Sequence, residues 1–171
     1  MKINFKGVFV LTVITTVVAL LMAITNSLTA PIIKINEDKA VNESLLVVMP
    51  DGKSFNKLEI SSYPMPSTVN EVYASENGGY IVKSVASGYA ERMTILCGID
   101  AEGVITGALC ISSSETLGYE KSYGKNLIGS TIDTIDSVDT ISGATLTTEG
   151  YKNAIKDSFA AVSILKGVNL T

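Results

Sequence analysis

The stretch RMTILCGIDAEGVITGALCI, residues 92–111, decides the fold class, because it contains two β-forming runs joined by a turn. Residues 92–99 and 104–111 are rich in Ile, Leu, Val and Thr, as strands usually are. Between them stands Asp100-Ala101-Glu102-Gly103, in which Gly103 offers the positive φ that a tight hairpin turn needs. We therefore predict an antiparallel hairpin here.

The sequence on either side of this hairpin predicts one more strand and one long helix. Tyr80–Ala86 is a third strand-like run, and residues 53–78, with their prolines and glycines, are predicted to be rich in loops. Residues 112–145 are polar and are expected to be mostly loop. From about Thr148 to Lys166, apolar residues recur at helical spacing, namely Tyr151, Ile155, Phe159 and Val162. The pattern is typical of an α+β domain with an antiparallel sheet.

The N-terminal part of the chain differs in composition, because it has no charged residue from Gly7 to Ile33. About 20 apolar residues cross the hydrocarbon core of a membrane as a helix, so we predict a transmembrane helix over residues 7–30 that ends near Pro31. A cleaved signal peptide is the alternative, and it is less favoured because no small-x-small site closes the stretch. Lys2 and Lys6 keep residues 1–6 in the cytoplasm by the positive-inside rule, so the rest of the chain is expected outside.

Two further segments complete the predicted organisation. Residues 31–78 are interpreted as a helix and a linker, and residues 79–171 as the functional domain. The helix is expected from residue 34 to about residue 50. Its loose apolar face is formed by Ile35, Val41, Leu45, Leu46 and Val48.

Composition excludes several classes of function. All 17 acidic residues follow Ile33, so the part of the chain outside the apolar stretch is net acidic, which disfavours nucleic acid as a partner. The chain has no histidine, which excludes Ser–His–Asp triads and haem sites with a histidine ligand. Cys97 and Cys110 are too few for a cysteine-held zinc or iron–sulfur site, so no metal is expected. Buried thiols are the favoured interpretation, and a disulfide between neighbouring strands stays open.

Two loops carry the residues that could perform chemistry. The first, Ser112–Glu120, leaves the last strand, and the second, Asp139–Thr148, enters the final helix. Small residues at 142–144 let backbone N–H groups approach a ligand, and the helix start favours an anion such as phosphate. On spacing alone, an ordinary loop and helix cap explain this run equally well.

The second loop resembles a known modification motif. The pattern Asp139-x-x-Ser142-Gly143-Ala144-Thr145 is similar to the recognition motif of FMN-binding domains that ApbE-type flavin transferases modify. In that family the last Thr of the motif bears FMN through a phosphoester bond. Thr147 also fits the usual continuation of the motif.

Upstream residues resemble the same domain in order and spacing, and the resemblance covers roughly residues 80–165. The matching segments are Gly88-Tyr89, Gly98-Ile99-Asp100, Gly103-Val104-Ile105-Thr106-Gly107 and Glu115-Thr116-Leu117-Gly118. The family commonly has Gly-Tyr-Gly-Gly at the first of these and Glu-Thr-Pro-Gly-Leu-Gly at the last. This chain departs from the family pattern at Ala90, Glu91, Leu117, Tyr119 and Glu120.

The resemblance implies a role for each residue of the two loops. Thr145 is the expected attachment point for covalent FMN, and Asp139 serves recognition by the transferase. Ser142, Gly143 and Ala144 are expected to shape the backbone around the phosphate. Glu115, Thr116, Leu117 and Gly118 are expected to approach the flavin ring. No catalytic acid or base is implied, so no independent catalysis is expected.

With the apolar segment included, the whole chain is similar to the G subunits of Rnf complexes, the ion-translocating ferredoxin:NAD oxidoreductases. The C subunits of sodium-pumping NADH:quinone oxidoreductases are a close second resemblance. Both imply membrane and iron–sulfur subunits as partners, and a flavin transferase during maturation. Two other interpretations stay open, which are a stand-alone tethered flavoprotein for extracellular electron transfer and a non-redox, membrane-anchored binding module.

Overall fold

The computed structural model describes residues 5–90 and 92–167, and within these ranges it leaves out the side chains of Phe5 and of residues 31–42. The chain divides into two compact units, Met1–Val41 and Asn42–Thr171.

The first unit is formed by the greater part of helix α1, which spans Phe5–Val48. Its segment Lys6–Ala30 has a mean hydropathy of 2.6 and is long and apolar enough to cross a membrane. The threonine hydroxyls within it donate to backbone carbonyls one turn earlier, as from Thr12 to Val8 at 2.9 Å and from Thr25 to Leu21 at 2.8 Å. These bonds satisfy the hydroxyls without water, as an apolar surrounding requires.

The predicted end of this helix near Pro31 is wrong, because α1 continues through the proline to Val48. A proline removes one backbone donor, but helix-forming residues on both sides can carry the helix past it. The expected apolar face is only partly present, since Leu45 and Val48 are buried whereas Leu46 is 54% exposed. The side chains of Ile35 and Val41 lie outside the described residues.

The second unit contains a five-stranded antiparallel sheet in which each strand pairs with its neighbours in the chain. The strands are β1 Phe55–Leu58, β2 Val69–Ser75, β3 Tyr80–Ser87, β4 Arg92–Ile99 and β5 Ile105–Ser113. The α+β class and the antiparallel sheet are therefore confirmed. Gly103 has a φ of 85° in the β4–β5 turn, and the backbone N–H of Val104 donates to Asp100 Oδ1 at 2.8 Å.

Residues 53–78 are rich in loop, as predicted, but they also contain β1 and β2, which were not predicted. The prolines and glycines that suggested loops flank these strands and do not interrupt them. Val69, Val72 and Tyr73 are buried, but they do not alternate strictly with polar residues because a bulge shifts the register between Val69 and Glu71. The sequence pattern of β2 was therefore hidden by an irregularity in its pairing.

One face of the sheet packs against helix α3, Thr145–Lys166. The predicted stripe of Tyr151, Ile155, Phe159 and Val162 is buried in this contact, which confirms the helical pattern. The helix begins three residues earlier than predicted, so Thr145 is its first residue. Between β5 and α3 the chain forms a short helix α2, Glu120–Tyr123, and two 3₁₀ turns, Gly124–Leu127 and Ile135–Ser137.

The last turn of α1 packs on the sheet at a pair of glycines. Gly98 and Gly107 are partners in the β4–β5 register, and a Cβ at either position would collide with Val48. The Thr106 hydroxyl donates to the Val48 carbonyl at 2.9 Å. The end of α1 is therefore bound to β4 and β5 by close backbone packing and one hydrogen bond.

The two cysteines are both free thiols. In the β4–β5 register Cys97 lies opposite Ala108, and Cys110 lies opposite Ile95, so the cysteines are not partners. Cys97 is fully buried in the core, as the sequence favoured, whereas Cys110 is half-buried.

Gly150→Ala tests the close approach of α3 to β3. A Cβ at Gly150 would collide with the Ser87 carbonyl oxygen, so we expect the variant to lose about 1–3 kcal/mol of unfolding free energy in urea titrations. Helix propensity alone would instead stabilise it by roughly 1 kcal/mol. Asn153→Ala, at an exposed position of the same helix, is the control and should be neutral or slightly stabilising. A stabilised Gly150→Ala protein would contradict the packing described above.

Candidate functional site

The carboxylate of Glu115 joins three segments of the second unit. Its Oε1 accepts a hydrogen bond from the backbone N–H of Ala90 at 3.0 Å, and its Oε2 accepts one from the Thr147 hydroxyl at 2.7 Å. Gly88 lies so close to this carboxylate that a Cβ there would collide with Oε1. The loop after β5 is thus fixed to the β3–β4 connection and to the first turn of α3.

The second loop ends in a tight turn that presents Thr145. The backbone N–H of Ala144 donates to the Ile141 carbonyl at 2.9 Å, and Gly143 has a φ of 82°, which a residue with a Cβ rarely adopts. Ala144 occupies the N-cap of α3 but has no side-chain acceptor, and the first turn of α3 has no acidic residue. Thr145 is exposed at this helix end, where unpaired N–H groups and the helix dipole favour an anion.

Two side chains bind the backbone before this turn, and a third binds an acidic side chain there. The Tyr123 hydroxyl donates to the Asp139 carbonyl at 3.1 Å, and the Lys152 ammonium group donates to the Val138 carbonyl at 2.8 Å. Burial, and then the charge of Asp139, raise the pKa of Tyr123, so its hydroxyl keeps its proton at neutral pH. Lys156 forms an ion pair with Asp136 at 2.6 Å. The loop is therefore fixed through its backbone, while the Asp139 residue stays exposed.

The two loops and the β3–β4 connection enclose a cavity of about 610 Å³, within the ~300–1,000 Å³ range of small-molecule sites. Six of the residues predicted from the sequence line it, namely Glu115, Thr116, Leu117, Gly143, Ala144 and Thr145. Three others, Gly118, Asp139 and Ser142, are not among the lining residues. The cavity adds five residues to the predicted set, namely Tyr89, Tyr119, Glu120, Leu146 and Thr147.

Large apolar side chains stand at this cavity with much of their surface exposed. Tyr89 is 75% exposed, Leu117 is 66% exposed and Leu146 is 61% exposed. Exposed apolar side chains that converge on one cavity are typical of a site for a largely apolar ligand. Tyr89 and Leu146 were missed as site residues because only the folded chain brings them beside the Glu115 loop.

Glu120 lines the same cavity and is only 1% exposed. Its Oε1 accepts a hydrogen bond from the Ser113 hydroxyl at 2.6 Å. Its Oε2 has no hydrogen-bond partner, and among the described residues only the Tyr151 hydroxyl shares this condition. Burial, and then the nearby charge of Glu120, raise the pKa of the Cys110 thiol to about 11. A buried carboxylate oxygen without a donor is costly, and this oxygen lies beneath the surface of the cavity wall.

Comparison with known proteins gives two findings. Residues 88–160 match the model of the family described as FMN-binding domain. The chain is also 29% identical over 187 aligned positions to the G subunit of the Na(+)-translocating ferredoxin:NAD(+) oxidoreductase complex of Acetobacterium woodii. That alignment covers 92% of this chain and 90% of the relative. The region matched by the family model contains both loops, the cavity between them and the start of α3, so this part of the chain is similar to FMN-binding domains.

Proposed function

We propose that this protein is a membrane-anchored electron-transfer subunit of an ion-translocating ferredoxin:NAD oxidoreductase complex, with FMN bound covalently to Thr145 through a phosphoester. The observation that carries the proposal is the position of Thr145. It is exposed at the first residue of α3 and lines the cavity of the FMN-binding domain.

The residues around Thr145 suit a phosphate. The start of α3 offers backbone N–H groups and a positive dipole end, and none of the residues of its first turn is acidic. Gly143, with its positive φ, turns the backbone directly before this helix end. A phosphate esterified to the Thr145 hydroxyl would lie beside these N–H groups, which would stabilise its charge.

The remainder of the cavity suits the flavin ring. Tyr89, Leu117 and Leu146 offer apolar surface for a flat ring system. When bound, FMN supplies transfer of one or two electrons. The side chains of the cavity hold and orient the ring, and the exposure of the cavity rim leaves electron partners access to it.

We propose that Asp139 acts during maturation, in recognition by the flavin transferase, and that it does not contact the bound flavin ring. The Asp139 residue is exposed and does not line the cavity, while its backbone carbonyl is bound by Tyr123. This arrangement presents the carboxylate on a fixed loop, where a flavin transferase could contact it beside the acceptor hydroxyl.

Membrane attachment is supported by the apolar segment Lys6–Ala30 and by the relative's alignment, which covers 92% of this chain. We propose that Lys2 and Lys6 stay in the cytoplasm and that the FMN-binding domain lies on the opposite side. A covalent link suits that location, because a cofactor joined by a bond is not lost by dilution. Partners of the chain would be the membrane and iron–sulfur subunits of the complex.

Thr145→Ala tests the attachment site. We expect the full chain, produced together with a flavin transferase, to gain the mass of an FMN phosphoester, and the variant to lack that increment in intact-mass spectra. Thr140→Ala is the matched control, because Thr140 is an exposed threonine of the same loop and does not line the cavity. An unmodified wild-type chain under these conditions would refute covalent FMN.

Glu115→Ala tests the contact that holds the two loops together. The variant leaves the Ala90 N–H and the Thr147 hydroxyl without their acceptor, so we expect a loss of about 1–3 kcal/mol in unfolding free energy. Flavin attachment should also slow, because the cavity walls are no longer fixed. Glu102→Ala, in the exposed β4–β5 turn, should change neither stability nor the rate of attachment. Equal behaviour of the two variants would show that the Glu115 bridge does not order the site.

Protease accessibility tests the proposed orientation. In intact spheroplasts, external protease should digest the FMN-binding domain and leave a short fragment that contains Lys2 and Lys6. In inside-out vesicles the domain should be protected. The reverse pattern would place the flavin on the cytoplasmic side and contradict the proposed topology.

A further inference from the structure

Lys152 is a buried lysine that forms none of the ion pairs found among the described residues. It lies on α3 and is 9% exposed, and of the lysines whose side chains the structure describes, it alone is buried. Its ammonium group donates to the backbone carbonyl oxygens of Val138 at 2.8 Å and of Asp136 at 3.5 Å. Burial of an ammonium group is costly, and an apolar side chain of the same length would fill this place without that cost. What Lys152 adds is therefore a directed bond to one point of the loop.

The bond to Val138 sets the position of the second loop along α3. Val138 precedes Thr145 by seven residues, and Lys152 follows Thr145 by seven residues, which is two helical turns or about 10 Å. Residues 139–144 are therefore attached to α3 at both ends. One attachment is the peptide bond to Thr145, and the other is the hydrogen bond from Lys152.

A second contact on the same part of the loop also leads to α3. The Tyr123 hydroxyl donates to the Asp139 carbonyl at 3.1 Å, and the Tyr123 ring packs edge to face on Tyr151, with 5.6 Å between the ring centroids. Tyr151 directly precedes Lys152 in α3. The carbonyls of Val138 and Asp139 are thus both bound by groups that one turn of α3 supports, while Asp139 itself stays exposed.

We propose that Lys152 is a positioning residue for flavin attachment. Its bond to the Val138 carbonyl keeps Asp139 at the place, relative to the Thr145 hydroxyl, at which a flavin transferase can contact both residues. The inference rests on the proposed function, since it requires covalent FMN on Thr145.

The attachment step is a phosphoryl transfer to which Lys152 contributes no atom. The bond between Thr145 Oγ and the flavin phosphorus forms, and the phosphoanhydride bond of the donor, a flavin dinucleotide, breaks. The second nucleotide leaves as a monophosphate with the bonding electron pair, and a base of the transferase takes the hydroxyl proton. Such a transfer needs the acceptor oxygen in line with the breaking bond, so a small displacement of the recognised loop slows it.

The alternative is that Lys152 only stabilises the fold. The two roles differ in where the protein loosens when Lys152 is replaced. Loss of a general stabilising contact increases opening throughout the domain, and attachment then falls only as far as the folded fraction falls. Loss of a positioning contact frees residues 139–144 while the sheet and α3 remain closed.

Lys152→Met, compared with the wild-type full chain in detergent, tests the proposal. Met keeps an apolar stem of similar length and removes the donor. With a purified flavin transferase and flavin adenine dinucleotide, we expect kcat/KM for the mass increment to fall about 10–100-fold. The melting temperature should change little. Amide hydrogen exchange should become faster at residues 139–144 and stay as slow as in wild type in β3, β4 and α3.

Three further variants complete the experiment. Lys156→Met is the matched control, because Lys156 lies one turn further along α3 and contacts the side chain of Asp136 rather than the loop backbone; it should react like wild type. Lys152→Arg keeps a cationic donor and should recover part of the rate. Tyr123→Phe removes only the hydroxyl that binds the Asp139 carbonyl, so it tests the same restraint without loss of a charge, and it should also slow attachment.

The outcomes separate this inference from the proposed function. Absence of the mass increment from the wild-type chain would refute the proposed function and this inference with it. A normal increment in wild type and an equal rate in Lys152→Met would refute the role of Lys152 alone. Faster exchange throughout the domain, or failure of Lys152→Met to fold together with a wild-type rate in Tyr123→Phe, would assign Lys152 a structural role. Equal slowing in Lys156→Met would show that the loss of one positive charge is the cause and would overturn the positioning role.

Discussion

The hydrogen bonds of Glu115 are the contact on which the site depends. One carboxylate joins the β3–β4 connection, the loop after β5 and the first turn of α3, which are far apart in the chain. Each of these segments contributes to the wall of the same cavity. Because Thr147 and Thr145 share the first turn of α3, the bond to Thr147 also sets the distance between the exposed threonine and the opposite wall.

Local patterns of the sequence predicted the elements whose signals are local. The β4–β5 hairpin follows from its turn residues, and the stripe from Tyr151 to Val162 follows from helical spacing. Strand β2 was missed because a bulge disrupts its alternation. The continuation of α1 beyond Pro31 was missed because the proline was interpreted as the end of the helix. A proline within a helix removes one backbone hydrogen bond, and this helix continues past it.

The candidate site was predictable to the extent that it repeats a family motif. Asp139, Gly143 and Thr145 could be named in advance, and the family model covers the segment that contains them. Tyr89 and Glu120 could not be assigned, because their part in the cavity depends on the folded sheet and on burial. In the sequence, Glu120 is only a departure from the motif. In the structure it lines the cavity, and one of its carboxylate oxygens has no hydrogen-bond partner.

The N-terminus of α3 has a consequence for the order in which the protein matures. Its first turn has neither an acidic residue nor a side-chain cap, and the nearby Glu115 carboxylate is bound to the Thr147 hydroxyl, so backbone N–H groups at this helix end have no side-chain cap. A phosphoester on Thr145 would supply a negative charge beside these N–H groups. The unmodified domain would then be less stable than the modified one. Chains that carry the cofactor would therefore unfold less often and persist longer than chains without it.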